Sequence, residues 1–176
     1  MNKPTFTISA PVDTYSGYGA RARDIVKSII ELDKYDVKIL PQRWGDTPSG
    51  FLESHDKWKF LQPLCIPNLS SKPDIWMQIT IPSEFQAIGS YNIGCTAGIE
   101  STGCASTWVE GLNRMDLNLV SSEHSKKVFK DINFEQKDKQ TNQLVNIIKL
   151  EKPIEVIFEG VDLDTYFYKK PKDVNI

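Results

Sequence analysis

Histidine and cysteine are scarce in this chain: only His55 and His124 represent the first, and only Cys65, Cys95 and Cys104 the second. Neither an H-x-x-x-H pair nor a C-x-x-C pair occurs, so the usual spacing of a protein-made zinc site is missing. An odd number of thiols does not make a disulfide framework, and free cysteines in a reducing compartment are the expectation. Charge blocks are absent as well. The 21 basic and 23 acidic residues are interspersed and leave a net charge of −2, whereas a nucleic-acid backbone calls for a basic stripe. No apolar run approaches the roughly 20 residues that span a bilayer. The opening MNKPTFTISAP has no signal-peptide apolar region, so a cytoplasmic location is the default expectation.

Several catalytic signatures are missing too. There is no G-x-S-x-G nucleophile elbow, and no Ser or Cys stands beside a recognisable His and acid in a known order, which leaves hydrolase chemistry unsupported. No Walker sequence appears. The stretch SGYGARARD, Ser16 to Asp24, has the position of a dinucleotide fingerprint but not its spelling. Ala22 stands where the third glycine belongs, and Leu40 where the second strand should end in an acid, so a nicotinamide dehydrogenase is not expected.

What is present is the composition of an ordinary globular domain: 176 residues, 40% of them apolar, enough to bury a continuous core without metal or disulfide staples. Thr5 to Ser9 is short, β-branched and aromatic, and reads as a first strand. After the glycine turn, Ala22, Ile25, Val26, Ile29 and Ile30 make a helical stripe, and Val37 to Leu40 is a second strand. Strand, glycine turn, helix and strand form a βαβ unit with parallel strands and a right-handed crossover.

Prolines break Pro41 to Pro73 into short pieces, one of which, Ser49 to Leu61, reads as a helix capped by Ser49. Asp74 to Ile81 reads as a mostly buried strand, with Trp76 expected in the core, and Tyr91 to Thr96 as another strand. A short helix is expected around Thr107 to Leu112. Leu117 to Val120 is the next strand, and Ser121 or Ser122 caps a helix reaching about Lys130. Lys130 to Lys149 is polar, with no clear period before Leu144, and reads as a mobile surface insertion or a weak helix. Ile154 to Phe158 closes the pattern as a last strand.

Alternating strands and helices predict an α/β fold, a Rossmann-like parallel sheet with helices on both faces. Ligands of such sheets bind beyond the carboxyl ends of the strands. The loops of interest are therefore SAPVDTYSGYG, TIPSEF, GCTAGIESTG, SSEHS and EGVD. Gly17 and Gly19 suit close backbone approach to an anion at a helix N-terminus, and equally suit a plain strand-to-helix turn. Glu100 has two readings: orienting sugar hydroxyls or accepting a proton, against capping the Thr102 to Ser106 turn or pairing with Arg114. His124, at a helix start, reads either as a site residue or as a cap.

Taken in order, SGYGARARD, PDIWMQITIPSEF, YNIGCTAGIEST, WVEGLNRMDLNLVSSEHSKKVF and PIEVIFEGVDLDTYF resemble the N-terminal half of a GT-B glycosyltransferase of the family-four-like, retaining type, from about Thr5 to Phe167. The resemblance implies a Rossmann-like acceptor-side domain over residues 1–168, with 169–176 as the start of an interdomain linker. It implies that Ser16, Gly17, Tyr18, Gly19 and Arg21 face the cleft and the donor diphosphate. Glu100 and Ser101 would lie on the acceptor side, with Glu100 orienting the acceptor, and Ser122 and His124 on the next loop. No resident cofactor is implied, since the nucleotide sugar is a donor substrate. The expected partners are a sugar acceptor and a C-terminal GT-B domain or split-enzyme subunit, the donor-binding half that KKPKDVNI precedes without continuing into. Without that half, little activity is expected.

Overall fold

The computed structural model describes residues 3–163 and 165–169. Most of the stretch read as linker, residues 170–176, lies outside the described residues. The first strand, β1 (Thr5–Ala10), leads through a tight loop into α1 (Gly17–Glu31) and then β2 (Asp36–Pro41). A single turn of helix, α2 (Phe51–Ser54), and a 3-10 helix (Asp56–Leu64) follow. Next come β3 (Ile75–Ile79), a short 3-10 turn (Pro82–Glu84), β4 (Tyr91–Cys95), α3 (Ser106–Asn113), β5 (Leu117–Val120) and α4 (Glu123–Asp131). A hairpin of β6 (Asn133–Lys137) and β7 (Leu144–Lys149) precedes the last strand, β8 (Ile154–Val156).

Six strands form one parallel sheet in the order β2-β1-β3-β4-β5-β8. The order reverses direction beside β1, which creates the switch-point crevice typical of Rossmann-like folds. One further contact sharpens the likeness: Cys65 makes a parallel bridge with Ile39 on the outer edge of β2, and the Ile66 amide donates to the Ile39 carbonyl at 2.8 Å. Counted as a vestigial strand, this bridge restores the order 3-2-1-4-5-6 for the first six strands.

Two apolar clusters cover the two faces of the sheet. Ile8, Val26, Ile29, Ile39, Ile79 and Cys95 belong to the cluster under α1. Trp76, Phe85, Leu112, Met115, Phe129 and Ile154 make the other, under α3 and α4. The apolar stripe of α1 thus faces inward through Ala22, Val26 and Ile29, and Trp76 is a core residue.

Three local readings of the sequence differ from the structure. The glycine stretch is not a turn ahead of α1 but its first turn, because Ser16 is the N-cap and its Oγ accepts from the Gly19 amide at 3.0 Å. Ser49 caps nothing: the carboxylate of Asp13 reaches over from the β1–α1 loop and accepts from the amides of Gly50 and Leu52, both at 2.9 Å. The polar stretch after Lys130 is an antiparallel hairpin instead of a loose insertion or a weak helix. Its turn is fixed by Asp138, whose Oδ1 accepts from the Gln140 and Thr141 amides, and by Asn142 in the left-handed region at φ 55°. Among the described residues, no helix is long and apolar enough to cross a membrane.

Candidate functional site

The carboxyl ends of β1, β4, β5 and β8 carry every site residue that the resemblance implied. They fall into two groups. The first is an open cavity of about 450 Å³ whose lining includes Glu100, Ser122 and His124, joined by Ala97, Gly98, Ser121, Ser125 and Glu159. The second is the beginning of α1.

The cavity wall is the loop after β4, strapped onto α4 by serine hydroxyls. Ser122 caps α4, accepting from the Ser125 amide at 3.1 Å, and its own hydroxyl lies 3.0 Å from Ser125 Oγ. Ser125 is buried; its Oγ accepts from the Ile99 amide at 3.2 Å and lies 3.3 Å from the Ile99 carbonyl. Ser121 Oγ donates to the Ala97 carbonyl at 2.6 Å. Gly98 completes the fit, since it sits at φ 91° and a Cβ there would stand 2.2 Å from Ser125 Oγ. Only glycine combines that backbone conformation with that clearance.

His124 extends the same strapping. Its Nε2 lies 3.2 Å from the Ser101 carbonyl. A carbonyl only accepts, so Nε2 carries the proton, and in the neutral ring Nδ1 keeps the lone pair. Ser101 therefore stands beside the cavity through its backbone, while its hydroxyl donates to the Gly103 carbonyl. Glu100 is exposed, lines the cavity, and among the described residues has no hydrogen bond or ion pair. Arg114 does not reach it: the guanidinium donates to the carbonyls of Phe85 and Ser83 instead.

At the start of α1 the two glycines play different parts. A Cβ on Gly19 would lie 2.5 Å from the Thr14 carbonyl oxygen and 2.9 Å from that of Pro11, so this position is dictated by the loop folding back on the helix. A Cβ on Gly17 would meet nothing within 4 Å, and the residue faces solvent. Close packing explains Gly19 and leaves Gly17 unaccounted for. Between them, Tyr18 stacks on Trp44, ring centroids 4.0 Å apart, and sends its hydroxyl across the sheet to Thr96 Oγ1 at 3.1 Å. The Ala97 amide donates to the same hydroxyl at 3.2 Å. Tyr18 thereby ties the start of α1 to the cavity wall.

Arg21 makes the second tie. Its Nη2 donates to the Ile157 carbonyl at 2.6 Å, and Nη1 stands 3.7 Å from the Glu159 carboxylate that lines the cavity. Its side chain is 9% exposed, so it underlies the site instead of projecting into it. Arg21 also faces the Cys95 thiol; burial pushes that thiol up from its ordinary value, with Arg21 acting against the shift. Arg23, from the same sequence stretch, is a structural residue. It is buried, donates to the carbonyls of Val12 and Thr14 at 2.8 and 3.0 Å, and lies 3.5 Å over the Phe51 ring. Burial lowers its pKa from the ordinary guanidinium value, while Asp24 and Asp13 oppose that change.

Beyond Ile157 the chain continues along the carboxyl ends of the strands. Asp162 pairs with Lys57 of the 3-10 helix at 2.6 Å, so contacts of this segment run from β5 through α1 to the 3-10 helix. Phe158, Val161, Leu163, Phe167 and Tyr168 are exposed on it.

Sequence reasoning missed Thr96, Ser125, Trp44 and Glu159 as members of this site. Thr96, Ser125 and Glu159 stand in the post-strand loops GCTAGIESTG, SSEHS and EGVD and were reachable by position; Trp44 becomes a neighbour of the site only through tertiary packing. Comparison with family models, with curated proteins and with solved structures returns no match for the chain.

Proposed function

We propose that this domain is the acceptor-side half of a nucleotide-sugar-dependent glycosyltransferase with the GT-B arrangement, retaining at the anomeric carbon and active when combined with a donor-binding domain. The observation that carries this reading is the convergence of Glu100, Ser122 and His124 on one open cavity at the carboxyl end of a Rossmann-like sheet, beside the first turn of α1. That is where such a sheet receives a ligand. Under this reading Glu100 orients the acceptor hydroxyl. Gly17 leaves room for the donor diphosphate to approach the α1 amides, which carry the partial positive charge of a helix N-terminus. Ser16, Gly19 and Arg21 shape that approach from beneath, and Tyr18 couples it to the acceptor wall.

A second reading, a non-catalytic glycan- or protein-binding module, is favoured by one specific feature. The serine hydroxyls and His124 Nε2 are engaged in holding the loop, which leaves groups for recognition more than a paired acid and base.

One experiment separates the two. The chain is titrated with a panel of monosaccharides and glycosides while backbone amides are followed by NMR, then incubated with labelled UDP-, GDP- and ADP-sugars with and without a C-terminal GT-B half. Shifts at Ala97 to Glu100 together with transfer in the reconstituted mixture support the transferase. Glycan binding with no transfer in any mixture supports the module, and neither binding nor transfer overturns both.

A further inference from the structure

The side-chain hydrogen-bond inventory of the Glu100 cavity is one-sided. Ser121 spends its proton on the Ala97 carbonyl, Ser122 faces Ser125, Ser125 faces Ile99, and His124 Nε2 spends its proton on the Ser101 carbonyl. A hydroxyl has one proton but two lone pairs, so once their protons are committed Ser121 keeps two acceptor positions and Ser122, which already accepts from the Ser125 amide, keeps one. Ser125 is buried, with its lone pairs facing the Ile99 amide and Ser122. Glu100 adds a carboxylate without a partner among the described residues, and Glu159 lines the same cavity with a second.

The charges point the same way. Among the described residues, no lysine or arginine lines the cavity. Arg21 sits 3.7 Å from Glu159 and offsets one carboxylate. The N-terminus of α4 contributes about half a positive charge, and Glu123 already occupies its first turn. Glu100 therefore leaves the site with an excess of negative charge and of side-chain acceptor atoms.

From this we infer that the cavity selects an acceptor that brings hydrogen-bond donors and no negative charge, namely an amino sugar or another amine-bearing polyol. A phosphate or carboxylate group brings only acceptors, so it meets repulsion and unpaired lone pairs together. An ammonium brings three donors and the opposite charge. The sugar framework of the ligand rests on the glycosyltransferase reading; the preference for donors and positive charge rests on the cavity alone.

The test uses four probes of one shape: methyl glucoside, glucosamine, glucuronate and glucose 6-phosphate. Each is titrated into the full chain near neutral pH and low salt, following the amides of Ala97 to Glu100 and Ser121 to Ser125. Glucosamine is expected to bind about five-fold or more tighter than the neutral glucoside, with the two anionic sugars weakest. E100Q is expected to bring glucosamine down to the level of the glucoside and to raise glucuronate. Since Glu100 is exposed, an unchanged melting temperature checks that this variant keeps its fold, and E159Q provides an independent second substitution. If all four probes bind alike, or if both variants leave the ranking unchanged, the inference fails while the sugar-binding reading stands. Tighter binding of the anionic sugars overturns the inference in the same way. If no probe perturbs these amides, both fail.

Discussion

The hydroxyl of Tyr18 lies 3.1 Å from Thr96 Oγ1 and accepts from the Ala97 amide at 3.2 Å, so one side chain from the first turn of α1 holds the wall of a cavity built from β4. Replacing it with phenylalanine keeps the stack on Trp44 and removes only the bonds. Tyr18→Phe is expected to cost about 1 kcal/mol of stability, the usual net worth of a partly buried hydrogen bond. Amide exchange of Ala97 to Glu100 should accelerate well beyond the change in global stability. Hydrogen exchange on the variant checks this; a uniform change across the chain would show that Tyr18 holds nothing locally.

Gly17 and Gly19 should respond in opposite ways to alanine. At Gly19 the added carbon collides with the Thr14 and Pro11 carbonyls, so Gly19→Ala is expected to destabilise the fold by about 1–3 kcal/mol, as overpacking does. At Gly17 nothing obstructs a methyl group, and alanine restricts the unfolded chain, so Gly17→Ala should leave stability unchanged or raise it by up to about 1 kcal/mol. Under the proposed function the same methyl obstructs the diphosphate, and nucleotide-sugar use in the reconstituted enzyme should fall. Thermal melts of the two variants test the first contrast, and transfer assays the second.

How much of this was legible in the sequence follows the range of the interactions. Leu117 to Val120 is a strand in both views, and Ser122, one of the two serines read as the cap, caps α4, because β-propensity, apolar period and capping act within a few residues. The hairpin after Lys130 escaped because both its faces are largely exposed, so neither strand alternates. Its one local signal was the Asp138 to Asn142 turn. Ser49 misled for the opposite reason: the true cap of α2 is Asp13, distant in sequence and adjacent only once β1 and α2 have packed. The site divides likewise. Glu100, Ser122, His124 and Ser125 sit in loops that follow strands, where position alone marks them, whereas Trp44 joins the site only through packing.

Acid sensitivity should trace in part to Asp74. Its carboxylate accepts from the Thr5 amide at 2.8 Å and from Thr5 Oγ1 at 2.9 Å, and these bonds, the backbone one first, hold its pKa below the ordinary carboxylate value. A group depressed on folding adds stability above its unfolded pKa of about 4 and loses it as pH falls through the folded value. Wild type is therefore expected to exceed Asp74→Asn in stability at pH 7, with the gap closing below about pH 4. Urea midpoints of both chains at pH 7, 4 and 2.5 measure the gap; a constant difference would mean that the carboxylate charge contributes nothing.

The segment after β8 should loosen in two stages as salt rises. Its first fastening is the Arg21 bond to the Ile157 carbonyl, made by a side chain that is 9% exposed; its second is the Lys57–Asp162 pair, with side chains 56% and 37% exposed. Exposed ion pairs contribute about 0–1 kcal/mol and weaken as the Debye length shrinks to about 3 Å at 1 M salt. A bond to an uncharged carbonyl, made by a side chain itself shielded from water, loses less to salt screening than a pair of exposed charges. Hydrogen exchange at low and high sodium chloride should therefore accelerate in peptides covering 161–169 while those covering 156–160 hold steady. Arg21→Ala should release both stretches and with them Glu159 from the cavity wall. If high salt releases both stretches in the wild type, the Arg21 fastening is no stronger than the surface pair, and the segment is not anchored at the cavity.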